Sequence, residues 1–173
     1  MLSARAAYCP CLRVKVPSLV VPIGKKALEY FRTHSAQILS DSYTEAGEMS
    51  ISDCFTMARL LCRDFMNGEF DELRLVYTHF ASLLVQTPSS MTILPLHCGG
   101  DQRSGKPGQL TLYEPDSETV FNRIIPEYLG GLIYGALRES VASEQAARRM
   151  AMDAATKNAD DMIEDLNLKY NRV

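Results

Sequence analysis

The sequence predicts an α/β fold: a small mixed sheet with flanking helices, Rossmann-like in its alternation, followed by one long C-terminal helix of the coiled-coil type. Three observations predict it. "LVVPIGKKALEYF" passes from a continuous apolar run to apolar residues at helical spacing. "LRLVYTHFASLLV" and "MTILPL" are rich in β-branched and aromatic residues, as strands are. From Pro126 to Val173 there is no further proline, and Gly130, Gly131 and Gly135 are the only glycines, so a single helix of about 45 residues, roughly 70 Å long, can run to the end.

The elements follow in order. Residues 1–17 read as irregular, 18–114 as an α/β domain, and 115–173 as a helical segment whose long helix starts near 126. Leu19 to Gly24 reads as a short buried strand, and the helix after it places Ala27, Tyr30 and Phe31 on one face. "SISDCFTMARLLCRDFMNG" opens with a capping box, Ser50 with Asp53. Its apolar face is Cys54, Ala58, Leu61, Cys62 and Phe65, and it stops at Asn67-Gly68. Leu73 to Val85 and Met91 to Leu96 are expected to pair antiparallel across a turn at Thr87-Pro88-Ser89-Ser90. "LTLY", Leu110 to Tyr113, reads as a further short strand. Asp116 or Ser117 can cap a helix through Ile125, with Pro126 as the first residue of the next.

The long helix carries a seam of apolar and small residues in steps of three and four: Leu129, Ile133, Ala136, Ser140, Ser143, Ala147, Met150 and Ala154. It continues through Asn158, Met162 and Leu166 in steps of four, where a supercoil relaxes. Such a seam calls for a partner helix, which this chain is not expected to offer, and its Ala and Ser residues let that helix approach closely. Glu144 with Arg148, Asp153 with Lys157 and Asp165 with Lys169 are spaced to pair along the exposed face.

Composition removes several functions. The chain has 173 residues, 46% apolar and 23% charged, the profile of one folded domain or a domain with an appended element. A net charge of −3 and a pI near 5.6 give no basic face for nucleic acid. The longest apolar run, "VPSLVVPIG", is far short of the roughly 20 residues of a spanning helix. Five cysteines, at 9, 11, 54, 62 and 98, lack the density of a disulfide scaffold and suit a reducing compartment. The first 28 residues hold no acid but five bases, Arg5, Arg13, Lys15, Lys25 and Lys26. That composition suits an organellar transit peptide or a loose start to the chain.

No stretch assembles a catalytic constellation. "GGDQRSGKPG" places Gly100, Gly105 and Lys106 at the spacing of a phosphate loop, but Pro107 stands where Ser or Thr must ligate Mg²⁺, and a strand follows where a helix N-terminus is needed. Loop 100–107 therefore supports a nucleotide-binding enzyme poorly. Cys9 and Cys11 with His97 and Cys98 have the wrong spacing for a zinc knuckle. Cys54 and Cys62 lie on an apolar helix face as core filling. His34 and His79 have no evident partner. Asp160, Asp161, Glu164 and Asp165 form a solvated helix face without the glycine-bearing loop of a calcium site. No catalytic, cofactor-binding or metal-ligating residue is expected.

The words of the chain point elsewhere. "ALRESVASEQAARRMAMDAATKNADDMIEDLNLKYNR", Ala136 to Arg172, resembles the C-terminal helix of the gamma subunit of the F-type ATP synthase, in which A-S-E-x-x-A-R, A-M-x-x-A-x-x-N-A and Y-N-R recur in this order. "FDELRLVYTHFASLLVQTPSSMTILPL", "FNRIIPEYLGGLIYGAL" and "VPIGKKALEYF" resemble the sheet and earlier elements of the same family, so the resemblance covers residues 18 to 173. It implies a non-catalytic central-stalk subunit that couples ion flow through the membrane sector to ATP synthesis. It further implies as partners the alpha and beta subunits of the catalytic ring, the epsilon subunit and the membrane ring of c subunits. The implied location is peripheral, on the cytoplasmic face of a bacterial cell membrane rather than the mitochondrial inner membrane. The coupling ion, H⁺ or Na⁺, is decided in another subunit. Against the family pattern the chain is expected to be a piece lacking the N-terminal helix and the C-terminal tip, and to self-associate through its seam. A free-standing coiled-coil interaction protein is the alternative.

Overall fold

The computed structural model describes residues 18–96 and 113–172. The possible zinc residues Cys9, Cys11, His97 and Cys98, the phosphate-loop-like 100–107 stretch, and all but Tyr113 of the expected "LTLY" strand lie outside them. Tyr113 itself is not in a strand.

Strand β1 (Leu19–Val20), helix α1 (Lys25–Thr33) and strand β2 (Gln37–Ile38) form a small βαβ unit in which β1 and β2 pair parallel, Leu19 with Gln37 and Val20 with Ile38. The β1 strand is shorter than the apolar run, because Pro22 cannot donate to a ladder and the chain turns at Gly24 to start α1.

Helix α2 (Ile51–Met66) begins as its sequence dictates. The Ser50 Oγ accepts from the Asp53 amide at 3.2 Å, and the Asp53 carboxylate accepts from the Ser50 amide at 3.0 Å. Gly68, at φ 77°, closes the helix in the left-handed region that side chains disfavour. Cys54, Met57, Ala58 and Leu61 of α2 are buried; Cys62 and Phe65 are half-buried against the same core.

Strands β3 (Leu73–Phe80) and β4 (Gln86–Leu94) pair antiparallel, from Leu73 with Leu94 to Phe80 with Gln86, with an irregularity at Leu73/Arg74. The antiparallel pairing is as expected, but the turn is not. It lies at 81–85, and Thr87, Pro88, Ser89 and Ser90 are all within β4. Among the described residues β3 and β4 form a two-stranded sheet, so β4 has an open edge, and there the missing N–H of Pro88 has no strand to serve.

Helix α3 (Ser117–Tyr170) is 54 residues long, roughly 80 Å. Asp116 caps it by accepting from the Thr119 amide at 2.9 Å. Pro126 does not start a second helix but lies inside this one. The carbonyl of Asn122, which loses its partner there, belongs to an exposed residue and has water to bond.

The core forms where α2 and β4 meet the first half of α3. It joins Met49, Cys54, Met57, Ala58 and Leu61 to Ile93 and Leu94, and these to Leu129, Ile133 and Leu137. Each buried Leu or Ile contributes about 1.5–3 kcal/mol relative to exposure. The sequence expectation that the long helix finds no partner in its own chain is thus corrected for its first half.

Candidate functional site: the long helix and its two halves

The lower half of α3 is held by two kinds of contact. The first is close helix packing: a Cβ at Gly130 would lie 3.1 Å from the Phe55 Cα and would collide with the Phe55 ring. Only glycine lets α2 approach this near. The second is a polar clamp on the free edge of β3. Ser140 Oγ accepts from the Thr78 amide at 3.1 Å, and one oxygen of Glu139 accepts from the Phe80 amide at 3.4 Å and lies 2.7 Å from the His79 ring Nδ1. An edge strand otherwise offers its unpaired amides to any passing strand, and here the helix side chains occupy them. Neither histidine is without a partner, since His34 stacks on Tyr30 at 4.1 Å and its Nδ1 meets the Tyr30 carbonyl oxygen at 2.9 Å.

The seam residues divide between the two halves. Leu129, Ile133, Ala136 and Ser143 are buried and Ser140 is half-buried, all on the domain side. Ala147, Met150, Ala154, Asn158, Met162 and Leu166 are exposed, as is every residue from Ala147 to Arg172. On this bare upper half Met162, Ile163, Leu166, Leu168 and Tyr170 are each more than half exposed. Ala151, Ala155 and Ala159 widen the same stripe at spacing of four.

Sequence reasoning missed a second surface. On the side of the lower half away from the core, Phe121, Ile124, Tyr128, Gly131 and Gly135 are exposed at steps of three and four, and a Cβ at either glycine would meet nothing within 4 Å. The signal was present as two glycines four apart inside a helix, where glycine costs up to about 1 kcal/mol unless a close approach needs it.

The surface charges are arranged for solvent. Arg148 pairs with Glu144 at 2.7 Å as expected, but Asp153 pairs with Arg149 at 3.8 Å rather than with Lys157, because Arg149 lies one turn before it with a longer planar reach. Among the described residues no cluster of three or more His, Cys, Asp or Glu could hold a metal ion, and Asp160, Asp161, Glu164 and Asp165 are exposed along the helix. Burial pushes the Cys54 and Cys62 thiols up, away from the thiolate a nucleophile needs. Two concavities, of about 230 Å³ beside Leu19, Leu39 and Phe70 and about 520 Å³ between Arg59 and Arg123, bring together no nucleophile with a base. No described helix is long and apolar enough to cross a membrane.

A helical surface left exposed among the described residues suits binding along a helix rather than chemistry in a pocket. Comparison with known proteins agrees with the geometry. The family model described as ATP synthase matches residues 12–173. The ATP synthase gamma chain of Ruminococcus albus is 41% identical over 156 residues, covering 90% of this chain and 54% of that protein. The gamma chain of Dehalococcoides mccartyi is 35% identical, covering 91% and 55%. The chain thus spans about half the length of these curated relatives. Two solved structures share the fold. One is a chain of the Euglena gracilis mitochondrial ATP synthase rotor, at a TM-score of 0.60 and 18% identity over 96% of this chain and 66% of that one. The other, from the Tetrahymena thermophila mitochondrial ATP synthase central stalk and c-ring, has a TM-score of 0.57 at 20% identity, over 79% and 60%.

Proposed function

Because the chain belongs to the ATP synthase family, among relatives named ATP synthase gamma chain, we propose that it serves as a non-catalytic central-stalk subunit of such an enzyme, turning within the ring of alpha and beta subunits. The observation that carries this reading is the upper half of α3. A helix bare of its own domain from Ala147 to Arg172 cannot be stabilised by that domain, and its apolar stripe has the period of a helix seeking a partner.

The two surfaces of α3 divide the work. The upper stripe, through Ala147, Met150, Ala154, Asn158, Met162 and Leu166, takes a partner helix and faces the ring. The lower face of Phe121, Ile124, Tyr128, Gly131 and Gly135 lets a second helix lie close against the shaft where its own domain does not cover it. The core contacts of Leu129, Ile133 and Ala136 then transmit torque between shaft and domain, because close-packed interiors are stiff. The domain end is the part that meets the epsilon subunit and the membrane ring of c subunits. The chain is accordingly peripheral at the cytoplasmic face of a bacterial membrane.

Co-expression with alpha and beta subunits tests the proposal. Retention of the chain in a purified complex, at fewer copies than alpha or beta, is expected. Elution of the chain alone while alpha and beta assemble without it would refute the reading. Self-association through the upper stripe is the expected behaviour when those partners are absent, because Met162, Ile163 and Leu166 are then left in water.

A further inference from the structure

Most of the positive charges of the α/β domain and the lower half of α3 are answered by carboxylates. Seven Lys and Arg side chains belong to the described residues between 18 and 137. Lys25, Lys26, Arg32, Arg63 and Arg74 each stand within ion-pair distance of an acid, at Glu45, Glu29, Asp41, Asp64 and Glu72. Arg59 and Arg123 have no such partner among the described residues, and these two line the same concavity, of about 520 Å³, where α2 runs beside the start of α3.

Two helices build this groove. Arg59 lies one turn beyond Phe55, the residue that packs at Gly130, so α2 carries it along the helix–helix contact. On α3, Thr119, Asn122, Arg123, Pro126 and Glu127 line the other wall, spaced three and four apart on one side of the helix. The Thr119 hydroxyl and the Asn122 side-chain amide also have no hydrogen-bond partner among the described residues. Asp116 already caps the first turn of α3, so the attraction for an anion comes from these side chains and not from the helix end. Glu127 follows Arg123 by four residues yet makes no ion pair with either guanidinium. Base before acid at that spacing is the weaker order.

The donors exceed what a carboxylate can use. Its two oxygens are filled by one guanidinium fork, whereas two forks from different helices, with a hydroxyl and an amide beside them, match the several acceptor oxygens of a phosphate group. At roughly 30 Å³ per water the groove has room for more than ten waters, so the phosphate can carry a further group. We propose that Arg59 and Arg123, with Thr119 and Asn122, form a binding site for a phosphate group, free in solution or borne by a lipid headgroup. Glu127 restrains it by competing for the same guanidiniums. The site goes beyond the stalk reading and stands without it.

Binding of inorganic pyrophosphate to the whole chain, read by NMR from the arginine Nε–Hε signals at constant ionic strength, tests the free form. Signals of Arg59 and Arg123 should shift saturably while those of Arg32, Arg63 and Arg148 stay in place. Arg59→Gln and Arg123→Gln, both at exposed positions, should keep the helicity of the chain and weaken binding at least tenfold, and Glu127→Gln should tighten it several-fold. Sedimentation with phosphatidylcholine vesicles, with and without one quarter phosphatidylglycerol, tests the lipid-borne form. A saturable response to pyrophosphate without vesicle retention would support the site with a soluble ligand. Retention on the anionic vesicles alone, lost in both arginine variants, would support it with a headgroup. No response to either probe, equal shifts of all exposed arginines, or binding that survives both arginine substitutions would each overturn the proposal. Unchanged binding by Glu127→Gln would overturn the restraining role of that residue.

Discussion

Glu139 reaches across from the long helix to His79, its carboxylate oxygen 2.7 Å from the ring Nδ1, and the same oxygen accepts the Phe80 amide. Sixty positions apart in the chain, these two residues fasten α3 to the open edge of β3, with Ser140 and Thr78 beside them. The contact is what makes hairpin and shaft one body. Ser140→Ala should leave the half-buried Thr78 amide without its acceptor and cost about 1 kcal/mol in denaturant unfolding. Glu139→Gln, which retains an acceptor for the Phe80 amide on a half-exposed side chain, should cost less. Equal losses from the two would mean that the clamp is held by charge rather than by edge capping.

Gly130 and its neighbours Gly131 and Gly135 should respond oppositely to alanine. Gly130→Ala must push α2 away from α3 at Phe55 and should destabilise by about 1–3 kcal/mol. Gly131→Ala and Gly135→Ala meet open space and should stabilise the isolated chain, each by up to about 1 kcal/mol of helix propensity, read as a higher thermal midpoint. The same two substitutions should weaken assembly if a second helix lies against that face. Unaltered assembly would remove Gly131 and Gly135 from the partner surface.

Ser143 is buried in α3 with no hydrogen-bond partner for its hydroxyl among the described residues. Ser143→Ala should therefore be neutral or stabilising by up to about 1 kcal/mol, read from chemical denaturation. A loss of 1 kcal/mol or more would show that the hydroxyl bonds a group that the static structure leaves apart.

Acid should fray the helix starts before it unfolds the core. Hydrogen bonds from Ser50 hold the Asp53 carboxyl below its usual 3.8, and those from Thr119 do the same for Asp116. For a carboxylate lowered on folding, the stabilising contribution is fully present above the unfolded value and disappears as pH falls through the folded one. Helicity followed from pH 5 downward should thus begin to fall below about pH 4. Asp53→Ala and Asp116→Ala should each start lower and lose less over that window. An unchanged acid limb in both variants would exclude the caps as its source.

Much of this architecture could be read from residues alone, and the exceptions have physical causes. Ser50 and Asp53 announced the α2 start because a capping box is a local device, complete within four residues. The length of α3 was legible because nothing after Pro126 interrupts it. Pro126 itself misled, since a proline compatible with a first turn was absorbed within a helix whose next two turns are anchored by Gly130 and Ile133. The hairpin turn was misplaced because its own residues, Leu83, Leu84 and Val85, are apolar, while Thr87-Pro88-Ser89-Ser90 imitates a turn and forms an edge strand. β2, two residues long, has too little pattern to detect. The point at which the seam leaves the domain could not be read from the sequence, because the burial of Leu129 and the exposure of Ala147 depend on where α2 and β3 end in space. Pairings such as His79 with Glu139 have no local signal at all.

If the upper half of α3 takes its partners in an ATP synthase stalk, its amides must be covered there. Amide hydrogen exchange resolved along residues 147–170, compared between the free chain and the chain in complex with alpha and beta subunits, reads this out. Rapid exchange through this stretch is expected in the free chain and at least tenfold slower exchange in the complex, with little change around Leu129 and Ile133. Equal exchange of residues 147–170 in the two states, in a complex that demonstrably contains the chain, would contradict it.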